Sequence, residues 1–206
     1  KAYHQLTFSM MYFYQEHYLL PLSHDENVHG KATVLQKMYG DYEDKFTQAR
    51  AFYLYMMMHP GKKLNFMGGE FGQLREWDET REQDWMLMKY PIHDAFSCYM
   101  RQLNEIYQKF DAFWQGEYNS AHFAWLDCES ALSCTYAILR KGVASQLIAV
   151  FHFSTDPLKN YVLKTPGPGC ATLILHSDWQ QFGGTVPEKK FKLIADERKK
   201  ATLDLP

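Results

Sequence analysis

Two histidines and two carboxylates fall within six positions at His24-Asp25-Glu26-Asn27-Val28-His29, directly after the apolar run Leu19-Leu20-Pro21-Leu22. An apolar run of that length predicts a buried strand. Charged residues crowded at its C-terminal end are where an α/β barrel keeps its chemistry. A metal site is one option, but the spacing is not HExxH. A strand-to-loop segment also does not hold His24 and His29 on one helical face, so no metal is expected. A buried ion pair closing the strand end is a second option. A sugar site is the third. An ionised Asp25 accepts hydrogen bonds from vicinal hydroxyls, and these tighten as a ring flattens toward an oxocarbenium ion. His24 donates to the same hydroxyls without full charge.

Glu70 follows the next short apolar segment, after Gly68-Gly69, which let backbone approach closely. Asp25 and Glu70 are expected to project from adjacent strands into one mouth. The alternative for Glu70 is a buried partner for Arg75. Trp77, Asp84 and Trp85 lie in the polar, aromatic stretch 71–91, a long loop of the kind usually tied to function. Indoles there either stack on glucosyl rings or hold the loop down.

The elements that must carry these groups follow from periodicity. Leu6, Met10, Phe13 and Tyr14 predict a helix over 5–15, and residues 18–22 a strand. Phe46, Ala49, Tyr53, Met56 and Met57 predict an amphipathic helix over 42–58, stopped by Pro60-Gly61. Residues 63–67 read as a second strand. Phe96, Tyr99, Met100, Leu103, Ile106, Tyr107 and Phe110 predict a helix over 94–110 with Asp94 as N-cap. This alternation fits a parallel sheet or barrel. Near residue 115 the grammar changes. β-rich runs at 122–126, 132–139, 146–153, 161–164, 171–175, 191–195 and 201–205, punctuated by Pro and Gly, predict an antiparallel sandwich. The expected domains are therefore 1–114 and 120–206.

Composition excludes several classes. A net charge of −2 argues against a nucleic-acid partner. The basic run Lys189-Lys190 to Lys192, with Arg198-Lys199-Lys200, is interrupted by Glu188, Asp196 and Glu197, as on a solvated face. Four cysteines (Cys98, Cys128, Cys134 and Cys170) form no CxxC pair, so a reduced, cytoplasmic protein is expected. No apolar segment is long enough to cross a membrane. The first residue is Lys1 rather than Met, which predicts that the chain begins inside a longer protein.

At Leu20-Pro21-Leu22-Ser23-His24-Asp25-Glu26 with His29-Gly30-Lys31, the chain resembles the last conserved region of the α-amylase superfamily, in the form found in bacterial 1,4-α-glucan branching enzymes. Pro60-Gly61-Lys62-Lys63-Leu64, Phe66-Met67-Gly68-Gly69-Glu70-Phe71-Gly72-Gln73, Arg75-Glu76-Trp77 and Asp84-Trp85 resemble that family's eighth barrel strand and its loop. Leu173-Ile174-Leu175 to Ser177-Asp178 and Phe182-Gly183-Gly184-Thr185 are similar to its C-terminal β-domain. The resemblance implies the last part of a (β/α)8 barrel followed by an all-β sandwich. It also implies a retaining transfer of α-1,4-glucan to a 6-hydroxyl, with no cofactor. Asp25 matches the carboxylate that stabilises the transition state, and His24 a sugar-gripping histidine. Glu70 and Trp77 are the further substrate-binding candidates.

The nucleophile and acid/base motifs of earlier barrel strands are not in this sequence. The resemblance thus implies a chain inactive alone, partnered by α-glucan and by the rest of the barrel, and self-associating through an exposed barrel edge. A debranching-type relative and a non-catalytic glucan-binding module are the alternatives.

Overall fold

The computed structural model describes residues 3–206. They form two compact units, each discontinuous in sequence. One comprises Leu19–Lys109 and Leu175–Glu188; the other comprises the described residues up to Tyr18, Phe110–Ile174 and Lys189–Pro206. The expected domains, 1–114 and 120–206, are by contrast single stretches. Two local packings account for the exchange. Tyr3 stacks on Tyr136 at 4.2 Å, and Phe182 meets Tyr99 edge to face at 5.2 Å.

The segment expected to be helical over 5–15 is instead one α-helical turn, α1 (Gln5–Phe8), followed by 3-10 turns at Ser9–Met11 and Phe13–Gln15. Of the four apolar residues that suggested the helix, only Phe13 is buried. A short helix without a covered face lacks the tertiary packing that supplies most helical stability.

In the first unit β1 (Leu19–Leu22) pairs in parallel with β2 (Lys62–Asn65), joined through α2 (Tyr42–Met58). Asp44 accepts the Asp41 backbone N–H at 3.1 Å, half of a capping box that starts α2. Phe46, Ala49, Tyr53 and Met56–Met58 line its buried face. α3 (Pro91–Lys109) starts three residues before the expected Asp94 cap, because Pro91 is pre-organised for a first helical position. It buries Phe96, Tyr99, Met100, Leu103 and Ile106. Tyr99 donates to the Arg50 carbonyl at 2.8 Å.

The buried-strand expectation for β1 does not hold: both β1 and β2 alternate between exposed and half-buried residues. Among the described residues their sheet has two strands, and Leu19, Pro21 and Leu64 on one face are exposed.

The strands of the second unit all pair antiparallel. β3 (Phe123–Ser130), β4 (Thr135–Lys141) and β5 (Gln146–His152) form one sheet with β4 central and almost wholly buried. β6 (Leu158–Lys164) pairs with β9 (Lys200–Leu205), and β7 (Gly169–Thr172) with β8 (Lys192–Ala195). Ala137 on β4 shares a core with Tyr161, Leu163 and Leu205. Tyr161 also donates to Asp127 across that core at 2.7 Å.

Candidate functional site

Parallel pairing sets Leu22 opposite Asn65, and the Phe66 N–H donates to the Leu22 carbonyl at 2.9 Å. The segments that follow β1 and β2 therefore leave the sheet side by side. After β1 the chain turns at once into a 3-10 turn, His24–Glu26. Ser23 caps it, its hydroxyl accepting the Asp25 N–H at 3.2 Å. That turn places the Asp25 side chain in solvent, 70% exposed, with His24 Nε2 at 3.5 Å from its carboxylate. Exposed on both sides, this pair contributes little to stability and leaves the carboxylate free to accept other donors.

His24 packs edge-on against Trp77, ring centroids 5.8 Å apart, and both rings contact Phe66. So His24, Asp25 and Trp77, assigned from sequence, come together. Glu70 sits in the 3-10 turn Gly69–Phe71 after β2. Among the described residues it makes no hydrogen bond or ion pair with His24 or Asp25. Its charge is felt instead at Tyr53, whose phenol is pushed above its ordinary range, first by burial and then by Glu70. Gly69 permits this crowding, since a Cβ there would lie 2.5 Å from Asn65 Oδ1 and 2.8 Å from the Tyr53 hydroxyl.

Arg75 is not the partner of Glu70. It pairs with Asp84 at 3.0 Å and donates to the Glu82 carbonyl at 2.6 Å. Gln73, almost buried, accepts the Asp84 N–H at 3.1 Å and donates to the Arg75 carbonyl at 3.0 Å. The stretch after β2 is thus a braced loop. A narrow hollow beneath it is lined by Asn27, Tyr53, Gly68, Gly69, Arg75 and Trp77, and by neither Asp25 nor Glu70.

Sequence reasoning assigned no role to the groups that shape the His24–Asp25 turn. Asn27 donates to the Ser23 carbonyl at 3.0 Å and accepts the Val34 N–H at 3.2 Å. Its own carbonyl accepts the Trp77 N–H at 2.9 Å. Glu76 accepts the N–H groups of Gly30 at 2.9 Å and Ala32 at 2.7 Å. Those bonds, Gly30 first, hold the Glu76 carboxyl below the usual carboxylate range. The partners lie 46 and 44 positions away, and no local pattern announces contacts of that span. Among the described residues no group of three or more His, Cys, Asp or Glu side chains is placed to hold a metal ion. No helix among them is long and apolar enough to cross a membrane.

The family described as alpha amylase, C-terminal all-beta domain, matches residues 125–206. The 1,4-alpha-glucan branching enzyme GlgB of Bacillus cereus strain B4264 is 40% identical over 196 residues, 93% of this chain and 30% of that enzyme. The enzyme of the same name from Bacillus thuringiensis subsp. konkukian strain 97-27 is 39% identical over the same shares of each chain. The chain spans about a third of the length of these curated relatives. Over 93% of its length the chain is thus similar to part of 1,4-alpha-glucan branching enzymes, and residues 125–206 match the α-amylase C-terminal all-β domain.

Proposed function

We propose that this chain supplies the sugar-gripping part of a branching site, acting on α-1,4-glucan and serving transfer to a 6-hydroxyl by a retaining route. The observation that carries this is the parallel register of β1 and β2. It sends the His24–Asp25 turn and the Glu70 turn out from one end of the sheet, with Asp25 70% exposed. Active groups of (β/α)8 enzymes gather at that strand end. Here β1, α2 and β2 supply one strand–helix–strand repeat toward such a barrel.

In this role the ionised Asp25 accepts two neighbouring sugar hydroxyls, and His24 donates to one of them. As positive charge grows on the ring, the carboxylate interaction strengthens, so binding is tighter in the transition state than before it. Trp77 offers a ring face beside His24, and Glu70 a second acceptor from the adjacent strand end. The covalent step needs a nucleophile and a proton donor from other strands, so the 206-residue chain is expected to form no branches by itself.

A second role, holding glucan without catalysis, is favoured by the openness of Asp25, which is 70% exposed and does not line the hollow beside Trp77. A debranching-type activity would differ in product linkage. Titrating the isotope-labelled chain with maltoheptaose separates these roles. Shifts centred on His24, Asp25 and the Trp77 indole are expected. Shifts confined to residues 123–206 would instead assign sugar to the β-domain, and a silent spectrum would remove glucan altogether. In parallel, the iodine–amylose absorbance should stay constant with the chain alone; a fall would overturn the proposed inactivity.

A further inference from the structure

The segment linking the His24–Asp25 turn to α2 carries backbone that side chains rarely adopt. His29, Gly30 and Ala32 all have positive φ, at 58°, 77° and 64°. Two of the three are not glycine, and such residues persist only where their surroundings hold them. A Cβ at Gly30 would meet nothing within 4 Å, so glycine is there for its dihedral angles and not for space.

The enforcing group is Glu76, from the loop after the neighbouring strand. Its two carboxylate oxygens accept one N–H each, Oε2 from Gly30 and Oε1 from Ala32, the residues on either side of Lys31. Lys31 held between them reaches back with its ammonium to the Asp25 carbonyl at 2.8 Å. Next along the same loop, the Trp77 N–H donates to Asn27 and its ring abuts His24. Asn27, Gly30 and Ala32 are thereby bonded to residues 76 and 77, and His24 packs on Trp77.

We propose that Glu76 is a positioning residue: by gripping the backbone on both sides of Lys31 it aims Lys31 at Asp25 and fixes the turn that presents Asp25 and His24. This rests on the glucan role above for its purpose, though not for its physics. An uncharged acceptor in place of Glu76 would bond more weakly, because charge-assisted bonds are roughly twice as strong. The sign of the pH effect follows. A carboxyl held low favours the ordered loop above the ordinary glutamate range, and the contribution is lost as pH falls through the depressed value. His29 and Lys37 face the same carboxylate and both act in the lowering direction.

Carbon-13 and nitrogen-15 spectra of the whole chain at neutral pH test the relay. Glu76→Ala is expected to shift the Gly30 and Ala32 amides and the Asp25 carbonyl, while signals from residues 42–58 stay in place. Glu76→Gln should restore part of each shift. Lys31→Met should move the Asp25 carbonyl and leave the Gly30 and Ala32 amides near their original positions. Unmoved Gly30 and Ala32 amides in Glu76→Ala would overturn the proposal. So would an Asp25 carbonyl that responds to Lys31→Met but not to Glu76→Ala.

Maltoheptaose added to each variant gives the functional arm, with the sugar-induced shifts at His24 and Asp25 lost in Glu76→Ala and partly kept in Glu76→Gln. A wild-type chain blind to the sugar would defeat the glucan role and leave the relay to be judged by the first comparison. A wild type that responds, with Glu76→Ala responding equally, would defeat the positioning role alone.

Discussion

Asp25 and Glu70 differ in what surrounds them more than in chemistry. Asp25 stands in solvent beside one histidine and feels no dense set of donors. Glu70 lies half-buried, where its charge reaches a phenol that Gly69 allows to approach. An open carboxylate beside a histidine donor suits the recognition of paired hydroxyls, since little desolvation is needed before sugar arrives. In a full-length branching enzyme carrying this sequence, Asp25→Asn is therefore expected to lower turnover by about 10²–10³-fold, roughly 3–4 kcal/mol of transition-state stabilisation. Glucan affinity should change far less, because the amide still bonds to hydroxyls in the ground state. Turnover and glucan dissociation constants measured side by side check this, and near-normal turnover would take Asp25 out of the mechanism. At this scale the unusual local order drew attention to His24 and Asp25, and Trp77 packs beside His24. Glu76 and Asn27 were not legible, because their roles are hydrogen bonds to backbone of a distant loop.

At the scale of elements, legibility tracks burial. The helix over 42–58 and the runs that became β4 and β5 emerge where the pattern places them, with apolar residues buried inside the chain. The 5–15 helix and the buried character of β1 fail where that cover is missing: Phe8 is 59% and Leu19 59% exposed. Residues 175–188 were the least legible, because their β-domain position in sequence hides a packing against helices. Trp179 and Phe182 are both buried there, and Arg50, 1% exposed, donates to the Phe182 carbonyl at 3.1 Å and pairs with Asp178 at 3.2 Å. Asp178 in turn accepts from the Thr185 N–H and hydroxyl. Asp178→Ala strands a buried guanidinium, so a loss of about 2–4 kcal/mol is expected. Arg50→Met, which removes the charge and keeps apolar volume, should cost less. Urea unfolding followed by circular dichroism gives the comparison; an Asp178→Ala variant as stable as the parent would mean the guanidinium finds water or another acceptor.

For the molecule as a whole, the informative quantity is the apolar surface that the chain leaves open. Parallel sheets are ordinarily covered on both faces, yet β1 and β2 present Leu19, Pro21 and Leu64 to solvent, with Met67 just beyond at 52% exposure. In the relatives, the remaining 70% or so of the sequence is available to cover such a face. In the isolated chain a second copy is the nearest apolar partner at hand, and burying each leucine would gain about 1.5–3 kcal/mol. Light scattering is therefore expected to give a mass above the 24.3 kDa of one chain, rising with concentration. Leu19→Lys combined with Leu64→Lys should return it toward the monomer, because two ammonium groups at the centre of an apolar contact cannot be desolvated cheaply. A monodisperse 24.3 kDa species in the unsubstituted chain would show that this face tolerates water without a partner.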